Sequence, residues 1–178
     1  MKVEDIIESL NFEAPIVWKG NIGSFTVNDN NFIVTVRPAS PDEEQTFIPF
    51  FPTLPKVGNV DFSAILPDGT PTQDLTGMSG GTAMKVFSVV AQGVAEQVKQ
   101  HGYDILLCIA KQKASPTNYQ NRVRAYETIV ERAARKAGRM YMLLVSTPSE
   151  TIFVVYKYPL MDNMLVVKQH LTQHYQNT

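Results

Sequence analysis

The sequence has 178 residues, 44% of them hydrophobic, which is enough for one well-buried core and too few for two ordinary domains. Its 16 basic and 17 acidic side chains give a formal net charge of −1, which argues against a dominant nucleic-acid role. No apolar run is long enough to span a bilayer, the first residues do not resemble a signal peptide, and the single cysteine, Cys108, allows no internal disulfide. We therefore expect one cytoplasmic domain, residues 1–178, with no membrane contact and with Cys108 as a small buried hydrophobe.

The N-terminal part of the chain is predicted to form a helix and then a β-hairpin. Within the segment 1–14, apolar residues recur at helical spacing and predict a short amphipathic helix over 3–10. Two β-like runs follow at 16–27 and 32–36. The Asn-Asp-Asn-Asn sequence between them tolerates left-handed backbone angles and favours a hairpin turn.

Residues 37–56 break the regular pattern. Proline recurs throughout this segment, so it is predicted to be a loop rather than a continuous helix or a central strand. Phe47, Phe50 and Phe51 lie between the prolines. They either pack on the protein's own sheet, which is the favoured interpretation, or present an aromatic surface to a partner protein.

The middle of the chain is predicted to be a strand–helix–strand unit. A strand at 57–66 is followed by a turn, a short extended piece at 73–75 and a glycine-rich turn at 76–82. A long, mostly buried helix then runs from about residue 82 to residue 101, and Gly102 ends it. The nearly all-apolar run 103–110 is typical of a strand covered on both faces.

The last third is predicted to be a helix, two strands and a helix. Ser115-Pro116 predicts a helix start and Gly138 a helix end. Strands are expected at 139–146 and 151–158, and a C-terminal helix at 162–176. The element order predicts an α/β domain whose mixed sheet has antiparallel strands on both sides of a central parallel β-α-β unit.

The glycine-rich turn is the strongest functional signal. The free N–H groups of a helix start can bind an anion, and glycine lets a phosphate approach closely. The candidate phosphate-binding residues are Gly77, Ser79, Gly80, Gly81 and Thr82. The alternative, a purely structural turn, is favoured slightly. The turn lacks the lysine and the spacing of an NTP-binding P-loop.

Two other patterns carry weaker functional interpretations. His170 and His174 share a helix face at a spacing that can chelate a metal, but without a third ligand nearby they are interpreted as a solvated pair, and no metal site is predicted. The segment 111–139 is rich in Lys and Arg. A solvated helix face is the favoured interpretation, with phosphate or RNA binding as the alternative.

The arrangement resembles the GNAT-type N-acetyltransferase fold, and more narrowly the GNAT-like proteins that tailed phages encode. The resemblance covers roughly residues 15–158. Its matching residues are Asp61-Phe62-Ser63, Leu75-Thr76-Gly77, Val86-Phe87-Ser88-Val89-Val90, Arg122, Ala125-Tyr126 and Gly138.

The resemblance implies acetyl-coenzyme A held between two splayed parallel strands, with its pyrophosphate on the glycine-rich turn. It also implies a tyrosine as the acid that protonates the leaving thiolate, either Tyr126 or Tyr119 as its substitute. Asp74 or Asp61 would be the base. The turn departs from the acetyltransferase motif at two of its positions, Gly77 and Thr82.

Two functions from different classes therefore remain open. The first is an acetyl-coenzyme A-dependent N-acyltransferase that acts on a protein or small-molecule amine. The second is a catalytically inactive GNAT-fold module, in the host cytoplasm or in a phage particle, that binds a host protein or a particle component through Phe47, Phe50 and Phe51.

Overall fold

A computed structural model describes Glu4, Glu8, residues 11–73, Leu75, residues 77–112 and residues 116–176; for 116–118 and 176 it describes the backbone only. The predicted N-terminal helix lies largely outside the described residues, although Glu4 and Glu8 are both helical.

The described residues form eight strands, four α-helices and two short 3-10 turns. The strands are β1 (Val17–Lys19), β2 (Ile22–Val27), β3 (Asn30–Pro38), β4 (Val57–Ile65), β5 (Pro71–Thr72), β6 (Ile105–Lys111), β7 (Met140–Ser146) and β8 (Glu150–Tyr156). The helices are α1 (Pro41–Gln45), α2 (Gly80–His101), α3 (Pro116–Ala137) and α4 (Met161–Gln176), and the 3-10 turns are Ile48–Phe50 and Tyr158–Leu160.

All eight strands belong to one mixed sheet. Its order is β1-β2-β3-β4-β6-β8-β7, with the short β5 paired to β4. β4 and β6 are parallel and are joined through α2, whereas every other described pair is antiparallel. The predicted mixed α/β sheet with a central parallel β-α-β unit is therefore confirmed.

The N-terminal hairpin is confirmed, but its first strand is shorter than predicted. Asn28 and Asp29 form a two-residue turn with φ of 47° and 61°, the backbone that matches the twist of the flanking strands. The predicted single run 16–27 is wrong because Gly20, at φ 61°, reverses the chain between β1 and β2.

The proline-rich segment is also more regular than the predicted loop. Ser40 accepts from the Glu43 N–H, and the Glu43 carboxylate accepts from the Ser40 N–H, so a capping box starts α1 with Pro41 as its first residue. Prolines break the interior of a helix but are compatible with its first turn, which is why α1 forms here.

The sheet has a hydrophobic core on each face. On one face α2 and α3 cover the apolar side chains of β2, β3, β4, β6 and β8. On the other face, α4 and the segment 47–51 cover a second cluster that includes Val57, Ile105, Leu107 and Val154. Cys108 is 1% exposed in the first core, which confirms its predicted burial.

The crossover helix α2 has well-defined ends. Ser79 caps its first turn, and Gly102, at φ 64°, ends it in a left-handed conformation. The helix therefore begins at Gly80, two residues earlier than predicted, and this places the glycine-rich turn at the carboxyl-terminal edge of the parallel strands.

Candidate functional site

The candidate site lies where the two parallel strands separate. β4 and β6 pair over four residues, ending where Val60 lies opposite Cys108, although β4 continues to Ile65 and β6 to Lys111. On their outer edges both strands stay paired, β4 with β3 and β6 with β8. A gap therefore opens between their carboxyl-terminal ends, the part of an open α/β sheet where ligands commonly bind.

The exposed Asp61 is the first residue of β4 beyond the paired stretch, and its carboxylate organises the gap. Its Oδ1 accepts hydrogen bonds from the Phe62 amide N–H at 2.9 Å and from the Tyr126 hydroxyl at 2.8 Å. Gln73 Nε2 donates to both carboxylate oxygens at 2.8 Å. The carboxylate thus satisfies a backbone donor that would otherwise be unpaired at the edge of β4.

Tyr126 lies below the gap, inside the first core. It is 3% exposed, and its ring packs on Phe62 with the centroids 5.3 Å apart. Burial, reinforced by the Asp61 carboxylate, raises the pKa of the Tyr126 phenol well above its usual value. The phenol therefore stays protonated at neutral pH, and its hydroxyl donates a hydrogen bond to Asp61 rather than facing solvent.

Cys108 lies at the other side of the point where the strands part. Burial, with a smaller contribution from Asp61, raises the pKa of its thiol to about 12. A thiol of this kind is inert at neutral pH.

The five predicted phosphate-binding residues lie at the start of α2. Gly77 has a φ of 92°, a conformation that favours glycine, and a Cβ added at Gly80 or Gly81 would meet open space. Ser79 Oγ accepts from the Thr82 N–H at 3.2 Å and lies 2.9 Å from Thr82 Oγ1. The cap therefore satisfies one N–H of the turn internally and leaves the glycine side of the turn open.

Asn28 extends this turn towards the hairpin. Its Nδ2 donates to Thr82 Oγ1 at 2.9 Å and ties the β2–β3 turn to the start of α2. The Thr82 hydroxyl consequently has two protein partners, Asn28 and Ser79. Sequence reasoning missed Asn28 as well as Gln73, because their contacts cross 54 and 12 positions of sequence, respectively, and no local motif marks them.

Two further candidates for acid and base are Asp74 and Tyr119. Asp74 is outside the described residues. Tyr119 is 7% exposed, donates to the Thr147 carbonyl at 3.0 Å and lies 2.8 Å from Thr151 Oγ1. Tyr119 therefore anchors the β7–β8 turn and makes no described contact with Asp61.

The aromatic residues of segment 47–51 divide between the interior and its margin. Phe47 is fully buried in the second core, which confirms the favoured interpretation for this residue. Phe50 and Phe51 are half-buried against the same core. The Phe50 carbonyl accepts from Asn163 and its ring lies 5.1 Å from that of His170, so only the outer parts of these two rings are open to a partner.

Several basic side chains of α3 are already engaged by the protein. Arg122 donates to the Lys111 carbonyl and Arg132 to the Met84 carbonyl, while Arg135 pairs with Glu131 on the next helical turn. Arg124 remains exposed. Within the described residues, no group of three or more His, Cys, Asp or Glu side chains could hold a metal ion, and no helix is long and apolar enough to cross a membrane.

Comparison with known proteins gives no relative for this chain. No protein-family model matches the sequence, and neither the curated proteins nor the solved structures include a significant match.

Proposed function

We propose that the chain is a GNAT-like N-acyltransferase that binds acetyl-coenzyme A in the gap between β4 and β6 and transfers the acyl group to an amine. The observation that carries this proposal is the separation of the two parallel strands beyond Val60 and Cys108, with an exposed carboxylate at the point of separation. The glycine-rich turn at the same edge of the sheet offers the open N–H side of a helix start to a pyrophosphate.

Asp61 is assigned the role of base. An amine must lose a proton as its nitrogen bonds to the acyl carbon, and a carboxylate within hydrogen-bonding reach can accept that proton. Asp61 is exposed in the gap and is held by Gln73, Tyr126 and the Phe62 N–H. Asp74, the other candidate base, lies outside the described residues, so the proposal rests on Asp61.

Tyr126 is assigned a positioning role. Because its hydroxyl is buried and directed at Asp61, it fixes the carboxylate and does not face the ligand. The sulfur of the leaving thiolate then takes its proton from another donor, and water in the open gap can supply it.

The test is an acyl-transfer assay with acetyl-coenzyme A as the donor and a mixture of primary amines as acceptors. A chromogenic thiol reagent detects the coenzyme A thiol that transfer releases. The protein's own thiol is buried and gives little background. Asp61→Asn is expected to lower the transfer rate by roughly 10²- to 10⁴-fold. Asp68→Asn is the matched control, because Asp68 lies in an exposed turn and its carboxylate accepts from the Thr70 N–H. Equal rates for the two variants would contradict the proposal.

A catalytically inactive GNAT-like module, with a host protein or a phage particle component as its partner, is the second candidate. The observation in its favour is that the polar side chains of the site already bond to one another within the protein. Ser79 caps Thr82, Asn28 bonds Thr82, and Tyr126 bonds Asp61. In that case the hydrogen bonds of Asp61 only stabilise the edge of β4. Asp61→Asn then lowers the free energy of unfolding, and neither the wild type nor the variant transfers an acyl group.

A further inference from the structure

A second depression lies on the opposite face of the sheet from α2 and α3. It has a volume of about 230 Å³ and is bounded by α1 on one side and the end of α4 on the other. Its floor is apolar and consists of strand side chains from β6, β7 and β8 together with one residue of α4; these are Leu107, Ile109, Leu144, Ile152 and Leu171. We call this depression the α1–α4 groove.

The rim of the α1–α4 groove is acidic. Asp42, Glu43 and Glu150 line it, and no Lys, Arg or His among the described residues does. Glu43 is already neutralised by Arg37 at 3.0 Å and accepts from Asn59 at 2.7 Å. Asp42 and Glu150 form no ion pair within the described part of the chain, although Lys111 lies opposite Glu150 in the β6–β8 register. The negative charge of the rim therefore comes from Asp42 and Glu150.

The shape of the groove limits what can occupy it. Leu107 and Leu144 form a closed floor at 4% and 1% exposure, while Tyr175 at the α4 end is 41% exposed. The groove therefore fits one inserted side chain, with flanking residues lying along its rim. An apolar floor below a negative rim is complementary to an ammonium group on an aliphatic stem.

We propose that the α1–α4 groove docks a lysine side chain carried on an apolar peptide segment of a partner protein. The lysine stem lies on Ile109 and Ile152, and its ammonium group lies between Asp42 and Glu150. This surface differs from the gap at Asp61, and the inference does not rest on acyl transfer. It also differs from the aromatic surface of Phe50 and Phe51.

The probe is an acetylated, amidated and fluorescently labelled peptide of alternating leucine and lysine, with a glutamine-for-lysine peptide as the neutral comparison. Fluorescence anisotropy is expected to show binding of the lysine peptide alone, weakening as ionic strength rises. The double variant Asp42→Asn/Glu150→Gln is expected to bind roughly fivefold more weakly, whereas Glu127→Gln, an exposed acid on α3, is expected to bind as the wild type does.

A variant that binds the peptide more tightly shows that the effect comes from the groove, because a loss of structure can only weaken binding. Lys111 lies opposite Glu150 in the β6–β8 register, where its ammonium competes with the peptide for that carboxylate, so Lys111→Gln is expected to raise the affinity. Equal binding of the two peptides, an unchanged affinity in the double variant, or octylammonium binding as tightly as the lysine peptide would each overturn the proposal.

Discussion

The hydroxyl of Tyr126 donates a 2.8 Å hydrogen bond to the Asp61 carboxylate, joining α3 to the strand edge at which β4 leaves β6. Tyr126 is 3% exposed, whereas Asp61 faces solvent. The buried phenol and its core packing therefore set the position of an exposed carboxylate in the gap.

Tyr126→Phe tests this relationship. The substitution keeps the ring in the core and removes only the donor, so the loss of unfolding free energy should be about 1 kcal/mol. If Tyr126 positions the base, kcat should fall while KM for acetyl-coenzyme A stays unchanged. The control is Tyr119→Phe, which removes a buried hydroxyl from the same helix and should leave kcat as it is. Equal kcat values for both variants would contradict the positioning role.

Gly80→Leu tests the glycine-rich turn. Since an added Cβ meets nothing within 4 Å, the unfolding free energy should stay within about 0.5 kcal/mol of the wild type. The new side chain fills the space that a pyrophosphate would occupy, so acetyl-coenzyme A binding should be lost. Gly58→Ala gives the opposite pattern, because its Cβ would lie 2.6 Å from Leu106 Cδ2 and 2.8 Å from Tyr103 Cε1, both buried, and should reduce stability while binding persists. Full binding by Gly80→Leu would exclude the turn as the phosphate site.

Glu43→Gln should show a pH-dependent loss of stability. Burial alone would raise the pKa of the Glu43 carboxyl, but hydrogen bonds from Arg37 and Ser40 outweigh it and lower that pKa below its usual value of 4.5. Ionised Glu43 therefore stabilises the fold at neutral pH, and this contribution is lost as the pH falls through the folded pKa. We expect the variant to be about 1–2 kcal/mol less stable at neutral pH.

Urea titrations measure the difference in unfolding free energy between Glu43→Gln and the wild type. This difference should shrink as the pH drops below about 4.5. Glu44→Gln, at the next position of α1, is the control and should show little effect at any pH. A constant difference at all pH values would mean that the charge of Glu43 does not contribute.

Phe47→Ala should destabilise the fold by about 3–5 kcal/mol, because it leaves a cavity under a side chain that is 0% exposed. Ile48→Ala, at the next position but 50% exposed, should change the unfolding free energy by less than about 0.5 kcal/mol. Chemical denaturation of the two variants and the wild type measures both differences in unfolding free energy. A small effect of Phe47→Ala would mean that this ring does not hold segment 47–51 to the sheet.

Local patterns predicted much of this fold. The long α2, its Gly102 end, the Asn28–Asp29 turn and the burial of Cys108 follow from periodicity and turn chemistry. The short α1 was missed although Ser40 and Glu43 carry the capping-box spacing, because the density of prolines argued against a continuous helix and the segment was predicted to be a loop.

The site was harder to predict because it depends on contacts that sequence spacing does not reveal. Asp61 was considered as a base, but its partners Gln73 and Tyr126 come from a loop and a distant helix. Whether a helical tyrosine faces the core or the ligand depends on how α3 packs on the sheet. In this chain Tyr126 packs on Phe62 and faces inward.

The most direct test of the proposed function is a calorimetric titration of the purified protein with acetyl-coenzyme A, with dephospho-coenzyme A as the comparison. We expect saturable binding in the micromolar range that Gly80→Leu abolishes and Asp61→Asn retains, because the turn holds the ligand and the carboxylate acts on the amine. No heat at millimolar acetyl-coenzyme A would contradict the acyltransferase proposal and favour the catalytically inactive module.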